Sequence, residues 1–114
     1  MTAPTDNETW IIEAGDAVVE KEAHSGSGSL GPWERLVYCL WVADYGMRNA
    51  GDLNAAQDVH ADFQSEGQQM AQELSLPLTH EAFSLPRSAL EREYFIRFDR
   101  MCDEIRDAEP RTMQ

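Results

Sequence analysis

The 114-residue chain carries 21 Asp and Glu against 9 Lys and Arg, a formal net charge of −12, and 42% of its residues are apolar. That length suits one domain, and the apolar fraction is too high for a wholly disordered acidic chain. The charge argues against direct binding to nucleic acid or to an anionic membrane surface, where Lys and Arg must displace counterions, and no apolar run approaches the roughly 18 residues of a membrane span.

Residues 1–5 are expected to fray. Residues 1–9 lack the positive charge and apolar run of a signal peptide, which points to a cytoplasmic protein. A first helix fits Asp6 to about Ala23, with Thr5 or Asp6 as N-cap, Trp10, Ile11, Ala14 and Val18 inward, and Glu13, Asp16 and Glu20 outward. Gly15 is expected to weaken it by about 1 kcal/mol relative to Ala. Residues 24–31, rich in Gly and Ser, read as a flexible linker. Pro32 suits the first turn of a second helix running to about Arg48. From Leu36 to Ala43 every residue is apolar, which predicts the buried centre of a bundle. A buried strand competes over the same eight residues, but the pattern continues to Met47 and favours a helix. The turn Asn49-Ala50-Gly51 ends it, with Gly51 as the left-handed residue.

A third helix is predicted from about Leu53 to Leu74, because Leu53, Ala56, His60, Phe63, Gly67, Met70 and Leu74 follow a 3-4-3-4 spacing, and Pro77 ends it. Residues 78–85 read as a loop with one short turn. A fourth helix begins near Pro86–Ser88, where Ser88 and Glu91 have capping-box spacing, and runs to about Ala108. Leu90, Tyr94, Phe98, Met101, Cys102 and Ile105 form its apolar stripe, and Glu93–Arg97 and Arg100–Glu104 pair on its outer face. The fold class expected is therefore all-α, a single domain of four main helices around the second. Cys39 and Cys102 sit in apolar stretches and are expected as reduced, buried thiols.

The charge is uneven. Residues 1–31 hold six acids and one Lys, residues 52–81 hold six acids and no Lys or Arg, and residues 82–114 mix seven acids with six Arg. Asp58, Asp62 and Glu66 recur every four residues, with Glu73 one heptad beyond, so a continuous helix would align them as one acidic ridge. Either this ridge is a solvated face that maintains solubility, or it receives a basic partner. On the second reading Asp58, Asp62, Glu66 and Glu73, with Asp16 and Glu20 on the first helix, are the partner-binding residues. Neutralising Asp58, Asp62 and Glu66 together is then expected to abolish binding and leave the fold intact.

Catalytic signals are sparse. His24, His60 and His80 are far apart, His80-Glu81 lacks the second histidine of a zinc-protease helix, and no Cys-x-x-Cys pair occurs. His60, on or beside the apolar stripe, is read as a packing or capping residue. The sequence therefore nominates no catalytic residue, metal site or cofactor. Trp10, Trp33 and Trp41 are expected to pack on the core, and a cleft among Trp33, Tyr45 and His60 is the alternative place for a function.

The stretch Leu36–Gly51, LVYCLWVADYGMRNAG, resembles the central helix and turn of a bacterial helical family typified by a DNA-mimic protein, and Leu90–Asp99, LEREYFIRFD, is similar to that family's final helix. Asn49 and Gly51 match the Asn and second Gly of the family's Glu-Val-x-Asn-Gly-Gly pattern, while Gly46 stands where the family has Glu. The resemblance implies an all-helical fold, a capacity to form a homodimer and, for the mimic subgroup of the family, an acidic surface that occupies the groove of a DNA-binding protein. The leading expectation is a non-enzymatic acidic interaction protein engaging a basic or DNA-binding protein. The alternatives are a small metal-dependent or carboxylate hydrolase and an immunity-type inhibitor.

Overall fold

The computed structural model describes residues 6–110, so the expected fraying of residues 1–5 lies outside the described residues. Six α-helices follow in order: α1 (Asn7–Ser25), α2 (Pro32–Ala50), α3 (Asn54–Val59), α4 (Phe63–Glu73), α5 (Pro77–Phe83) and α6 (Arg87–Asp107), with a 3-10 turn at Ser27–Ser29 between the first two. The class is all-α, as expected, but six helices replace the four read from the sequence.

The boundaries have local causes. Asp6 caps α1 by accepting the Thr9 N–H at 2.8 Å. In α2, Pro32 occupies the first turn, and the Glu34 carboxylate accepts the Gly31 N–H at 3.0 Å. Gly51, at φ 77°, closes α2 in the left-handed conformation, and the Asn49 side chain donates back to the Tyr45 carbonyl at 2.8 Å. The Ser75 N–H bonds the Gln72 carbonyl and the Leu76 N–H bonds the Ala71 carbonyl, a Schellman closure of α4. It places the non-glycine Ser75 at φ 60°.

α2 is the centre. Leu36, Val37, Cys39, Leu40, Val42 and Ala43 are all buried, and α2 packs against α1, α3, α4 and α6. Tyr38 and Trp41 are only partly buried and Tyr45 is exposed, so one stripe of α2 stays open and the rest of its surface needs neighbours. The chain supplies them by folding α1 onto one flank, α3 and α4 onto another, and bracing α5 and α6 behind. Within this core Tyr94 donates to the Asp44 carboxylate at 2.7 Å, and Arg48 Nε donates to both oxygens of Asp44 at 3.0 Å. The buried carboxylate is thereby satisfied. The guanidinium of Arg48 also lies over the rings of Phe95 and Phe98.

Three corrections follow from tertiary contacts. The expected third helix is interrupted at His60, which turns to an extended backbone, φ −147° and ψ 99°. The apolar heptad survives the break: Leu53, Ala56, Phe63 and Met70 are all buried. Its spacing was therefore blind to the interruption. The supposed loop after Pro77 is helix α5. Its first-turn N–H groups at Leu78 and Thr79, which have no intrahelical acceptor, donate to the Glu104 carboxylate of α6 at 3.0 and 2.7 Å. Glu104 is thus a cap for another helix. Glu91, read as half of a capping box with Ser88, instead accepts the Leu53 N–H at 2.8 Å, and Pro86 is the N-cap of α6 without a side-chain hydrogen bond. The Glu93–Arg97 pair forms at 2.9 Å. Cys39 and Cys102 are free and buried, as expected.

Candidate metal centre

Three donor side chains converge where α2 meets the break between α3 and α4. Cys39, one turn after Arg35 on α2, points its thiol into the packed interior and is fully buried. His60 holds the C-cap of α3. Glu66 lies in the first turn of α4, where the positive end of the helix dipole favours a carboxylate. His60 Nε2 meets Glu66 Oε1 at 2.6 Å, and Arg35 Nε donates to the other oxygen, Glu66 Oε2, at 2.8 Å. The His60–Glu66 contact depends on the break, because residues six apart on one helix point about 120° away from each other and sit about 9 Å apart along the axis. Tyr38 lies against the imidazole, ring centroids 5.5 Å apart.

The Cys39 sulfur, a His60 nitrogen and a Glu66 oxygen all lie within 4.8 Å of one another. A tetrahedral zinc ion with such ligands separates its donors by about 3.3–3.8 Å. The imidazole and carboxylate, in contact at 2.6 Å, would have to part by about 0.7 Å to share one ion, within the reach of side-chain rotation. His60 and Glu66 are partly open to solvent, at 27% and 16% of their side chains. They face a cleft of about 370 Å³ that Glu22, Leu30, Arg35 and Tyr38 also line. Of the three donors, His60 and Glu66 stand at the cleft wall and Cys39 is buried beside them, so a fourth position for water would have to open on the cleft side.

Electrostatics fit the geometry. Burial pushes the Glu66 carboxyl up, but the hydrogen bonds from Arg35 and His60 outweigh it and hold it below the ordinary carboxylate value. Burial, reinforced by the Glu66 charge, pushes the Cys39 thiol far above its usual value, with Arg35 acting in the opposite direction. Arg35 does not outweigh the burial, and in the protein alone this sulfur keeps its proton. A metal would displace that proton to solvent, so binding should be coupled to proton release.

The acidic residues singled out from the sequence are not equivalent in the structure. Asp58 lies in α3, Asp62 at the start of α4 and Glu66 one turn on, so the interruption removes the four-residue register of a single ridge. Asp58 and Asp62 are exposed. Glu66 is engaged by Arg35, a cation from α2 that no local charge count could supply. The triple neutralisation is therefore no longer expected to spare the fold. Glu73 is exposed at the end of α4 and accepts from Gln69 at 3.3 Å. Asp16 and Glu20 are exposed on α1 beside Glu13, along a separate shallow hollow. The alternative cleft also dissolves: Trp33 lines a groove with Trp10, Tyr45 is exposed on α2, and only His60 belongs to the donor cluster.

Sequence reasoning missed the cluster because its members are 21 and 6 residues apart and match no ligand motif. One usable signal was His60 itself, a polar residue at a position of the apolar stripe. No protein-family model matches the chain, and no curated protein and no solved structure is significantly similar to it.

Proposed function

We propose that the protein is a metal-dependent protein of hydrolytic type, with Cys39, His60 and Glu66 as the ligands of a thiolate-accepting divalent cation, zinc foremost. The observation that carries this reading is the convergence of three donors of different chemistry, two of which, His60 and Glu66, line a cleft while the third, Cys39, is buried beside them. Zinc in such a set supplies Lewis acidity and lowers the pKa of a bound water toward neutrality. Arg35, on the outer oxygen of Glu66, orients that carboxylate so that the other oxygen faces the donors. Tyr38 packs on the imidazole and restricts its rotation. Glu22 lines the same cleft and is the carboxylate available there to accept a proton.

Calorimetric titration with Zn²⁺ in two buffers of different ionisation enthalpy tests the centre. One equivalent should bind with net proton release, and Cys39→Ser, His60→Gln and Glu66→Gln should each weaken binding by at least about tenfold. A cobalt-loaded sample should show thiolate-to-metal charge transfer that Cys39→Ser abolishes. Zinc binding unchanged by all three substitutions would remove the proposed centre. A panel of ester, amide and phosphoester substrates then tests the reaction class with the zinc-loaded protein.

A second reading keeps the acidic-partner expectation, supported by the row Glu13, Asp16 and Glu20 exposed on α1 and by the likeness of Leu36–Gly51 to the DNA-mimic family. It predicts salt-sensitive binding of basic protein segments. Asp16→Asn with Glu20→Gln should weaken that binding while leaving the thermal melt unchanged.

A further inference from the structure

We infer that the groove between α1 and the start of α2 is a docking site for an arginine side chain of a partner protein. The inference deepens the acidic-partner reading and rests on it. Two tryptophans line the groove: Trp10 from α1 and Trp33 from the first turn of α2. Both are partly buried and packed against the core. The indole of Trp33 is held by its Nε1, which donates to the Ile105 carbonyl at 2.8 Å. This ring is fixed before any ligand arrives, so little ordering entropy is lost on binding.

Acids from three separate segments surround these rings: Glu13 on α1, Glu34 on α2 and Glu109 just beyond α6. Glu34 is already employed, since Lys21 holds it at 2.9 Å and it accepts the Gly31 N–H. Glu13 and Glu109 are exposed and form no ion pair or side-chain hydrogen bond among the described residues. The groove's one lining cation, Lys21, is paired with Glu34, so the groove combines aromatic faces with two carboxylates unpaired among the described residues, a combination that recognises a cation which can also stack. A planar guanidinium suits it better than a compact, strongly hydrated ammonium. Arg106 already lies over the Trp10 ring, its guanidinium 5.4 Å from the ring centre, so Trp33 is the ring left for the incoming guanidinium to stack on. The apolar floor formed by Ala17 and Val18 would accept the aliphatic stem of the incoming side chain.

The test uses the full-length protein and an acetylated Gly-Arg-Gly-Arg-Gly amide, with the same peptide carrying citrulline for arginine as the uncharged control. Indole N–H resonances of the three tryptophans are followed by NMR at 20 and 150 mM salt. The arginine peptide should shift the Trp10 and Trp33 indoles and leave Trp41 in place, and the citrulline peptide should not. Glu13→Gln with Glu109→Gln, both on exposed residues, should weaken binding about tenfold without changing the melt. If binding persists but maps to Asp16 and Glu20, or to Asp58 and Asp62, with the two indoles unmoved, the groove assignment fails and the acidic-partner reading stands. If the peptide binds nowhere at 20 mM salt, both fail. Equal binding by a lysine peptide would overturn the guanidinium preference.

Discussion

Gly15 offers a direct test of how α1 and α2 meet. In isolation, alanine at this mid-helix position should stabilise α1 by about 1 kcal/mol. In the structure Gly15 is buried against Trp41. A Cβ built on it would lie 2.8 Å from the Cβ of Trp41 and closer still to Cγ and Cδ1 of that ring. The ring atoms could swing aside, but the Trp41 Cβ is fixed by the backbone of α2, so the two helices must separate. Overpacking of this kind costs about 1–3 kcal/mol, and contacts this short belong at the upper end. Subtracting the helix-propensity gain leaves Gly15→Ala destabilised by about 2 kcal/mol. With a urea m-value of about 1.5 kcal/mol/M, the unfolding midpoint should fall by more than about 1 M. In a Trp41→Ala background the same substitution should cost about 1 kcal/mol less, because the ring is gone and only the Cβ contact remains. A midpoint that rises on Gly15→Ala in the otherwise native chain would show that helix propensity governs this site and that α1 does not approach α2 here.

The two left-handed residues should respond in opposite directions: Gly51→Val, at φ 77°, should lose more than about 1 kcal/mol, whereas Ser75→Gly, at φ 60°, should gain up to about 1 kcal/mol, both read from urea melts. The Thr79 hydroxyl is fully buried without a hydrogen-bond partner among the described residues. Thr79→Val should therefore be neutral or raise stability by about 1 kcal/mol, and a marked loss in the thermal melt would reveal an unseen partner for that oxygen. Glu66 has a folded-state pKa below its unfolded value of about 4.5, so its contribution is fully present above that pH and is lost as pH falls through the folded value. Stability measured from pH 6 to pH 3 should fall more steeply in the native protein than in Glu66→Gln, with the gap between them closing at the acid end.

Much of the fold was legible in the chain because the deciding interactions are local. The Asp6 cap, Pro32 in the first turn of α2 and Gly51 at its end act through the backbone within a turn and appear where expected, and the apolar run Leu36–Ala43 is helical and buried except at Tyr38 and Trp41, which are only partly covered. Tertiary structure decided where the apolar period stops being one helix. A heptad pattern reports which residues face the core, and Ala56 and Phe63 face it equally well on either side of a break at His60. It also decided that α5 is a helix, since part of its N-terminal cap comes from Glu104, 25 and 26 residues further along the chain. Gly15 was legible only as a weak point of α1, because its value lies in Trp41 of another helix. The candidate metal centre follows the same rule. Cys39, His60, Glu66 and Arg35 carry no spacing that marks them as a set, and proximity arises only when α4 folds back onto α2. Charges and donors act through space, and local sequence order does not record which of them will share it.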